Sequence, residues 1–485
     1  MSYFIGLDIG TSKICAVLIN SCNGELVCSV NKENDSQIIF DTENKILLAE
    51  QSTEKILQRV IEVLKDLATK CALLIKDIKG IGITGQMHGM LLVDKNRKSI
   101  TNLITWEDKR CLSLIACSNH TYLDEILNVF KNKQSKKNGC VPSAGYMGCS
   151  LYWFNKNKLL SEKSFKSVFI ADFIFSQLTG EDFYTDFTNA GSSGVFDIVN
   201  HCWDKEFISL LNIPCEIFPE VVLPGEIKGF LQKSISEIIG LQSGIPICCA
   251  VGDNQASLLG SLCDWNDIFI NIGTGSQISC ITNSFVSIEN LEIRPFFDGK
   301  YILVGAGLCG GRAYYYLNNF IKEIGEIFFP NCEESNLFEK MNSIAEIIPY
   351  GCDGLICDTR FEGSRENPEI KGAFKNVSKS NFTIKHFCRS VLEGIVNELH
   401  NYYKIFNKKS DEINYITASG NAIRKNPVMT KIISKTFNSP VRIPLYEEES
   451  AYGAGLLSAV KNGAISDFQK VSELLKFKEI IYPES

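Results

Sequence analysis

Long apolar runs are missing from this chain. None approaches the ~18 consecutive apolar residues of a membrane-spanning helix. The N-terminus carries neither a basic segment nor an apolar stretch of signal-peptide length. The expected location is the cytoplasm, no membrane partner is expected, and the sequons at Asn119, Asn376 and Asn381 read as chance matches. Histidine is scarce: five in 485 residues, too dispersed for a metal triad, with no His-Glu-x-x-His. The absence of a Gly-x-x-x-x-Gly-Lys-Ser/Thr loop excludes a P-loop kinase. Cysteine is abundant at nineteen, but the residues are scattered, odd in number and lack any Cys-x-x-Cys pair. That excludes a cysteine metal site and a disulfide framework, and leaves reduced, buried thiols.

The net charge of −7 weighs against nucleic acid or an anionic membrane as the main partner. An anionic ligand stays possible, because a local nest of N–H groups binds phosphate on an acidic protein. The length of 485 residues exceeds one hydrophobic core and predicts two domains. Short strands alternate with helical patterns in both halves, which makes the class α/β.

Residues 3–50 predict a meander of strands with turns at Asn23-Gly24 and Asn44-Lys45. From Ser52 the spacing turns helical, with Ile56, Val60 and Leu64 on one stripe and Leu57, Ile61 and Leu67 beside it. A strand, Ile78 to Thr84, ends in Gly85-Gln86-Met87-His88-Gly89. The lysine-rich segment Lys131 to Gly139 predicts a solvated loop. Prolines and glycines in Ile213 to Gly244 suggest a junction near 240–250, ahead of the strand Ile245 to Val251. Domains of 1–243 and 244–463 follow, with 464–485 as a tail. Helices are expected over about Thr383 to Phe406 and Glu447 to Asn462, the latter stopped by Gly463.

Two glycine turns look like copies of one device. Phe4-Ile5-Gly6-Leu7-Asp8-Ile9-Gly10-Thr11-Ser12-Lys13 is matched by Ile268-Phe269-Ile270-Asn271-Ile272-Gly273-Thr274-Gly275-Ser276-Gln277, and each reads as strand, tight turn, strand. Such turns offer backbone N–H groups and hydroxyls to an anion. Two grips suggest a nucleotide held by two related domains. Two Gly-x-Gly-x-x-Gly matches, Gly80 to Gly85 and Gly305 to Gly310, do not carry a dinucleotide reading. The first lies within a strand, and the second lacks a following acidic-tipped strand.

A kinase acting on an alcohol must hold a nucleoside triphosphate with its Mg²⁺ and accept a proton from the hydroxyl. Asp8 is placed to hold metal, directly or through water. Thr11, Ser12 and Lys13 can face phosphate, and Gly273, Thr274 and Gly275 form the second cradle. Asp253, at the end of a strand and the start of a helix, suits a base; taken alone, it suits a helix N-cap better.

Asp8-Ile9-Gly10-Thr11-Ser12, Gly85-Gln86-Met87-His88-Gly89, Trp106-Glu107-Asp108-Lys109-Arg110, Gly252-Asp253-Asn254-Gln255 and Ile272-Gly273-Thr274-Gly275-Ser276 occur in one order. With Ser419-Gly420-Asn421-Ala422 and the late Glu448-x-Ser450-Ala451-Tyr452-Gly453-Ala454, that order resembles the FGGY carbohydrate kinases over roughly residues 3–463. The resemblance implies two ribonuclease-H-like, actin-related domains with a cleft between them that binds ATP and a sugar. It implies Asp253 as general base and Asp8 as support for Mg²⁺. Gln86, Met87, His88, Trp106, Asp108 and Asn254 would line the sugar site; Trp106 reads equally as a sugar platform or as core. Gly311, Gly420 and Asn421 would lie at the adenosine. Ser419 stands where the family often has glycine, and Arg424 would stack on adenine or be solvated.

The segment Gly145-Tyr146-Met147-Gly148-Cys149, with Thr105-Trp106-x-Asp108-x-Arg110-Cys111, is similar to sedoheptulose-phosphorylating members. The alternatives are a xylulose or other polyol kinase, an inactive sugar-binding relative that should have lost Asp8 or Asp253, and an actin-like ATPase that would need no sugar motifs.

Overall fold

Strand Tyr3–Ile9 is the centre of the first sheet because its apolar residues are buried on both faces. In the computed structural model it pairs antiparallel with Lys13–Asn20 and parallel with Ile78–Gly85. The structure describes residues 1–41, 46–133, 137–160, 165–262, 264–329, 336–364, 367, 369–406 and 414–483. The expected turn at Asn44-Lys45 lies outside the described residues. The helix expected from Ser52 runs Thr53–Lys70, with the Ser52 hydroxyl accepting the Lys55 N–H as its N-cap. Ile56, Val60, Leu64 and Leu67 are buried on it, while Leu57 and Ile61 are partly buried.

The chain forms two compact units whose boundaries differ from the linear split at 243/244. One comprises Met1–Cys263, Ile293–Tyr301 and Glu448–Leu475; the other Asp264–Glu292, Ile302–Glu447 and Lys476–Ser485. Strand pairing explains the first difference. Pro246–Cys248 and Val251–Gly252, expected to open the second domain, both pair parallel with Ile78–Gly85 in the first sheet. Close packing explains the second. Helix Glu449–Lys461 returns to the first unit across a surface of glycines: a Cβ on Gly6 would overlap the Ala451 carbonyl, and one on Gly82 the Ala454 carbonyl. Gly453 on the helix likewise admits the Ala256 carbonyl of helix Asp253–Leu259. Gly80 and Gly82, which mimic a dinucleotide fingerprint, therefore serve helix-on-sheet packing.

The second unit repeats the arrangement. Ile268–Ile272 pairs antiparallel with Ser276–Thr282 and parallel with Ile416–Ser419. Neighbours then run outward through Val441–Pro444 to Phe477–Ile481. The segment expected as a tail is therefore ordered structure. Phe477–Ile481 is a sheet strand of the second unit, and helix Phe468–Leu474 belongs to the first, where Phe468 stacks on Phe297 with centroids 5.0 Å apart. Helix Ile384–Ile405, capped by Thr383, buries Val391, Ile395 and Leu399.

Lys131 to Gly139 also departs from expectation. Lys131 and Asn132 end helix Tyr122–Asn132, and Lys133 and Asn138 are buried, both hydrogen bonding to the Asp204 carboxylate. Residues 134–136 of that segment lie outside the described residues. Among the described residues, no helix is long and apolar enough to cross a membrane.

Candidate active site

The first glycine turn is set by strand register. Ile9 pairs with Ile14, so Gly10, Thr11 and Ser12 with Lys13 span the reversal, closed by Gly10 N–H to the Lys13 carbonyl at 3.0 Å. Asn34 clamps it from behind, its Nδ2 donating to the Gly10 carbonyl and its N–H to the Ser12 carbonyl, each at 2.9 Å. Ser12 is exposed. Lys13, expected to face phosphate, is engaged by Glu448, with Nζ 2.7 Å from Oε2 and 2.9 Å from Oε1. A closed ring then joins the turn to the loop at Gly85 to Gly89. Thr11 Oγ1 donates to Gln86 Oε1 at 3.2 Å, Gln86 Nε2 to Gln51 Oε1 at 2.7 Å, and Gln51 Nε2 back to the Thr11 carbonyl at 2.8 Å.

Two partly buried carboxyls, Asp8 and Asp253, lie close enough for their charges to repel. Asp8, on Tyr3–Ile9, has an Oδ1 without any hydrogen-bond partner. Burial first, then the charges of Asp253 and Glu448, push its carboxyl up to about 8, with Lys13 pulling the other way. Asp253 opens helix Asp253–Leu259, yet the N-cap is Gly252, and no side chain caps that helix. The cap reading of Asp253 therefore does not hold: its carboxyl is one position inside. Burial raises it to about 6, against the opposing effect of Arg294. Ser450 Oγ donates to the Asp253 carbonyl at 3.4 Å. Asn254 Oδ1 and Gln255 Oε1 are also buried acceptors without partners. Buried acceptors lacking donors favour a donor-rich ligand such as a polyol or a hydrated cation.

The residues expected at the sugar divide. Met87 is buried, its terminal methyl against Gly252. His88 holds a positive φ of 72°, uncommon outside glycine and a mark of a constrained, functional loop. Its N–H donates to Ser192 Oγ at 3.0 Å, and its ring lies on Tyr146 with centroids 4.2 Å apart. Nδ1 sits 2.9 Å from the Ser192 carbonyl; a carbonyl only accepts, so Nδ1 carries the proton. Trp106 is 45% exposed, which removes the core reading, and its Nε1–H donates to Thr11 Oγ1 at 3.1 Å. Asp108 does not line a ligand site. It is fully buried; Oδ1 accepts from Arg110 Nε at 2.8 Å, and Oδ2 accepts from Arg110 Nη2 and the Ala49 N–H, each at 3.0 Å. Its oxygens are consumed in placing strand Leu47–Gln51 and Arg110.

In the second unit Ile272 pairs with Ser276, so Gly273, Thr274 and Gly275 make a loop one residue shorter than the first. Helix Gly311–Phe328 docks its first turn on this loop, Gly311 N–H to the Gly273 carbonyl at 2.9 Å and Arg312 N–H to the Thr274 carbonyl at 3.0 Å. A Cβ on Gly273 would meet nothing within 4 Å, so the fold leaves that face of the loop open. Gly420, at φ 98°, passes over the Ile272 carbonyl where a Cβ would overlap, and Asn421 begins the short helix Asn421–Arg424. Arg424 is partly buried and held by two carbonyls, Nη1 donating to that of Pro444 at 3.0 Å and Nη2 to that of Tyr446 at 2.7 Å, which fixes the plane of its guanidinium.

Residues 3–260 match the FGGY family of carbohydrate kinases, N-terminal domain, and 270–461 match its C-terminal domain. The chain belongs to the FGGY family of carbohydrate kinases. It is 25% identical over 494 residues to a xylulose kinase of Bacillus subtilis, covering all of this chain and 93% of that one. It is 26% identical to a gluconokinase of the same organism, covering 98% and 90%, and 23% identical to a sedoheptulokinase of Mus musculus, covering 93% and 96%. The crystal structure of xylulose kinase from Rhodospirillum rubrum has the same fold, with a TM-score of 0.85 at 22% identity, covering 99% and 94%.

The two units of this FGGY kinase are thus of the ribonuclease-H-like, actin-related kind, and its reaction class is phosphoryl transfer to an alcohol. Its Asp8 and Asn271 occupy matching strand positions, each followed by Ile-Gly-Thr, but only Asp8 brings an ionisable group. Asn34, Gln51, Arg294 and Ser192 escaped sequence reasoning, since each acts on a partner distant in the chain with no local pattern to flag it.

Proposed function

We propose that this kinase transfers the γ-phosphoryl group of ATP to the primary hydroxyl of a ketose, sedoheptulose by preference, giving ADP and sedoheptulose 7-phosphate. The observation that carries this reading is Asp253: a partly buried carboxyl at the first position of its helix, raised to about 6 against the pull of Arg294. Such a group is ionised at neutral pH yet still basic enough to take a hydroxyl proton. As the sugar oxygen bonds to the γ-phosphorus, its proton passes to Asp253 and the bond from phosphorus to the bridging oxygen of ADP breaks. Met87, His88, Trp106 and Asn254 hold the sugar, with Gln86 bracing Thr11 and Trp106. Thr11, Ser12 and Lys13, with the Gly273 to Gly275 loop, Gly311, Gly420 and Asn421, serve the nucleotide.

Mg²⁺ fits Asp8. An orphaned, buried carboxylate oxygen with raised proton affinity is what a cation relieves, directly or through water. Bound there, the metal would neutralise phosphate charge.

Two contacts support the sugar assignment. The segments similar to sedoheptulose-phosphorylating members touch each other: Gly145, at φ 83°, lies against the Trp106 carbonyl, and Tyr146 stacks on His88. Charge favours a neutral sugar over an aldonate. Arg110 is held by Asp108 and Glu50, Lys13 by Glu448, and the charge of Arg294 is opposed by that of Asp253. A cytoplasmic setting suits the described cysteines, all of them free thiols.

The test is ADP release over a panel of sedoheptulose, xylulose, ribulose, fructose, gluconate and glycerol. The highest kcat/KM is expected for sedoheptulose. A preference for xylulose overturns the sugar and leaves the chemistry; preference for gluconate or no turnover with any ketose overturns the ketose reading.

A further inference from the structure

One short buried segment touches both halves of the sugar site. Helix Phe187–Ala190 is only four residues long, and the Asp186 carboxylate fixes it by accepting the Thr188 N–H at 3.0 Å and the Asn189 N–H at 2.9 Å. Thr188 and Asn189 are fully buried, and Ser192 nearly so. Thr188 Oγ1 accepts the Gly252 N–H at 2.9 Å, and Asn189 Nδ2 donates to the Ala250 carbonyl at 3.2 Å. These bonds hold the last residues of strand Val251–Gly252 immediately before Asp253. Four residues after Thr188, Ser192 Oγ accepts the His88 N–H, and the Ser192 carbonyl takes the Nδ1 proton of the same histidine. Ser192 Oγ in turn donates to the Asn189 carbonyl at 2.7 Å, so both grips share one frame.

We propose that Thr188 and Ser192 are positioning residues, the first for the turn that carries Asp253 and the second for the loop that carries His88. Neither touches substrate in this scheme; they act through Gly252 and His88. The Gly252 N–H is the N-cap amide of the base-bearing helix, and at a buried position it has no water to replace a lost acceptor. His88 sits in a left-handed conformation uncommon outside glycine, and both Ser192 bonds hold it there. The separation of roles follows: Thr188 governs the chemical step, and Ser192 governs sugar binding.

The proposal rests on Asp253 as base and His88 in the sugar site, so Asp253→Asn is measured beside the test variants. Thr188→Val keeps shape and removes the acceptor. Its kcat on the best sugar of the panel should fall about ten- to a hundredfold, the scale of misplacing a reacting group, with sugar KM little changed. Thr188→Ser should restore most of the loss. Ser192→Ala should raise sugar KM more than it lowers kcat. Independently of any sugar, amide hydrogen exchange over residues 250–255 should quicken in Thr188→Val, and that over 86–90 in Ser192→Ala. Normal kcat and normal exchange in Thr188→Val overturn the Thr188 role, as does failure of Thr188→Ser to restore activity. If Thr188→Val does not fold, Ser192→Ala decides, and unchanged sugar KM with unchanged exchange over 86–90 overturns the proposal. Full turnover in Asp253→Asn sinks the base reading; an inactive Asp253→Asn with a normal Thr188→Val sinks only the positioning one.

Discussion

Lys13 grips Glu448 with both carboxylate oxygens, across 435 residues of chain. The first unit thus completes its glycine turn with a residue at the threshold of its returning helix. Lys13 is nearly half exposed, so the pair contributes only about 0–1 kcal/mol to stability. Its importance is availability: Glu448 takes two of the three ammonium donors and competes with a phosphate for the charge of Lys13. Glu448→Gln should leave the melting temperature almost unchanged and lower KM for ATP, whereas Lys13→Met should raise it. Steady-state kinetics against ATP check this, and a KM unmoved in both variants removes Lys13 from the nucleotide site.

Asp253 sets the acid limb of the pH profile. Its carboxyl is raised from 3.8 to about 6, and a protonated base cannot accept the sugar proton. kcat/KM should therefore rise with pH up to about 6 and level off above it. Arg294 opposes that rise, so Arg294→Gln should move the limb to higher pH. The same shift has a stability consequence. A carboxyl whose folded pKa exceeds its unfolded value carries no penalty at low pH, and stability is lost as pH climbs towards 6. Asp253→Asn should therefore abolish turnover and raise stability at pH 7, by up to about 3 kcal/mol. Calorimetry and ADP release on one sample decide it, and an acid limb near pH 4 contradicts the perturbed base.

The glycine turns were legible because some positions admit few residue types. Glycine turns announce themselves where backbone must stay open, and Asp253 gains meaning from the ordered motifs around it. The unit boundary was not legible. Strand Val251–Gly252 joins the first sheet by pairing with Ile78–Gly85, and helix Glu449–Lys461 by complementarity to Gly6 and Gly82, both of them relations between distant segments. Gln51 is silent for the same reason, since its partners Thr11 and Gln86 lie 40 and 35 residues away. Asp108 misleads in the opposite sense. A polar Asp-x-Arg beside an exposed tryptophan reads as a ligand site, while its two charged groups satisfy each other.

Asp108→Ala accordingly predicts a folding defect and not a binding defect. Removing Asp108 leaves the Arg110 guanidinium with Glu50 as its remaining carboxylate and takes the acceptor from the Ala49 N–H, at a cost of about 1–3 kcal/mol. Denaturant unfolding should show that loss, while sugar KM of the protein that remains folded stays near the parent value. A raised sugar KM with unchanged stability would return Asp108 to the sugar site.

The two glycine classes separate fold from ligand. At Gly82 a Cβ would overlap the Ala454 backbone carbonyl, so Gly82→Ala must push helix Glu449–Lys461 from the sheet and should cost at least about 3 kcal/mol. At Gly273 a Cβ meets nothing within 4 Å, so Gly273→Ala should change stability by less than about 1 kcal/mol. If that open face is where phosphate approaches backbone, the added methyl group obstructs it, and KM for ATP should rise about tenfold at constant melting temperature. Thermal unfolding with ATP-dependent kinetics on both variants separates these outcomes. A Gly273→Ala enzyme with normal ATP dependence would mean that the second glycine turn holds no phosphate, leaving Asp8 and its own turn to hold the nucleotide's charge alone.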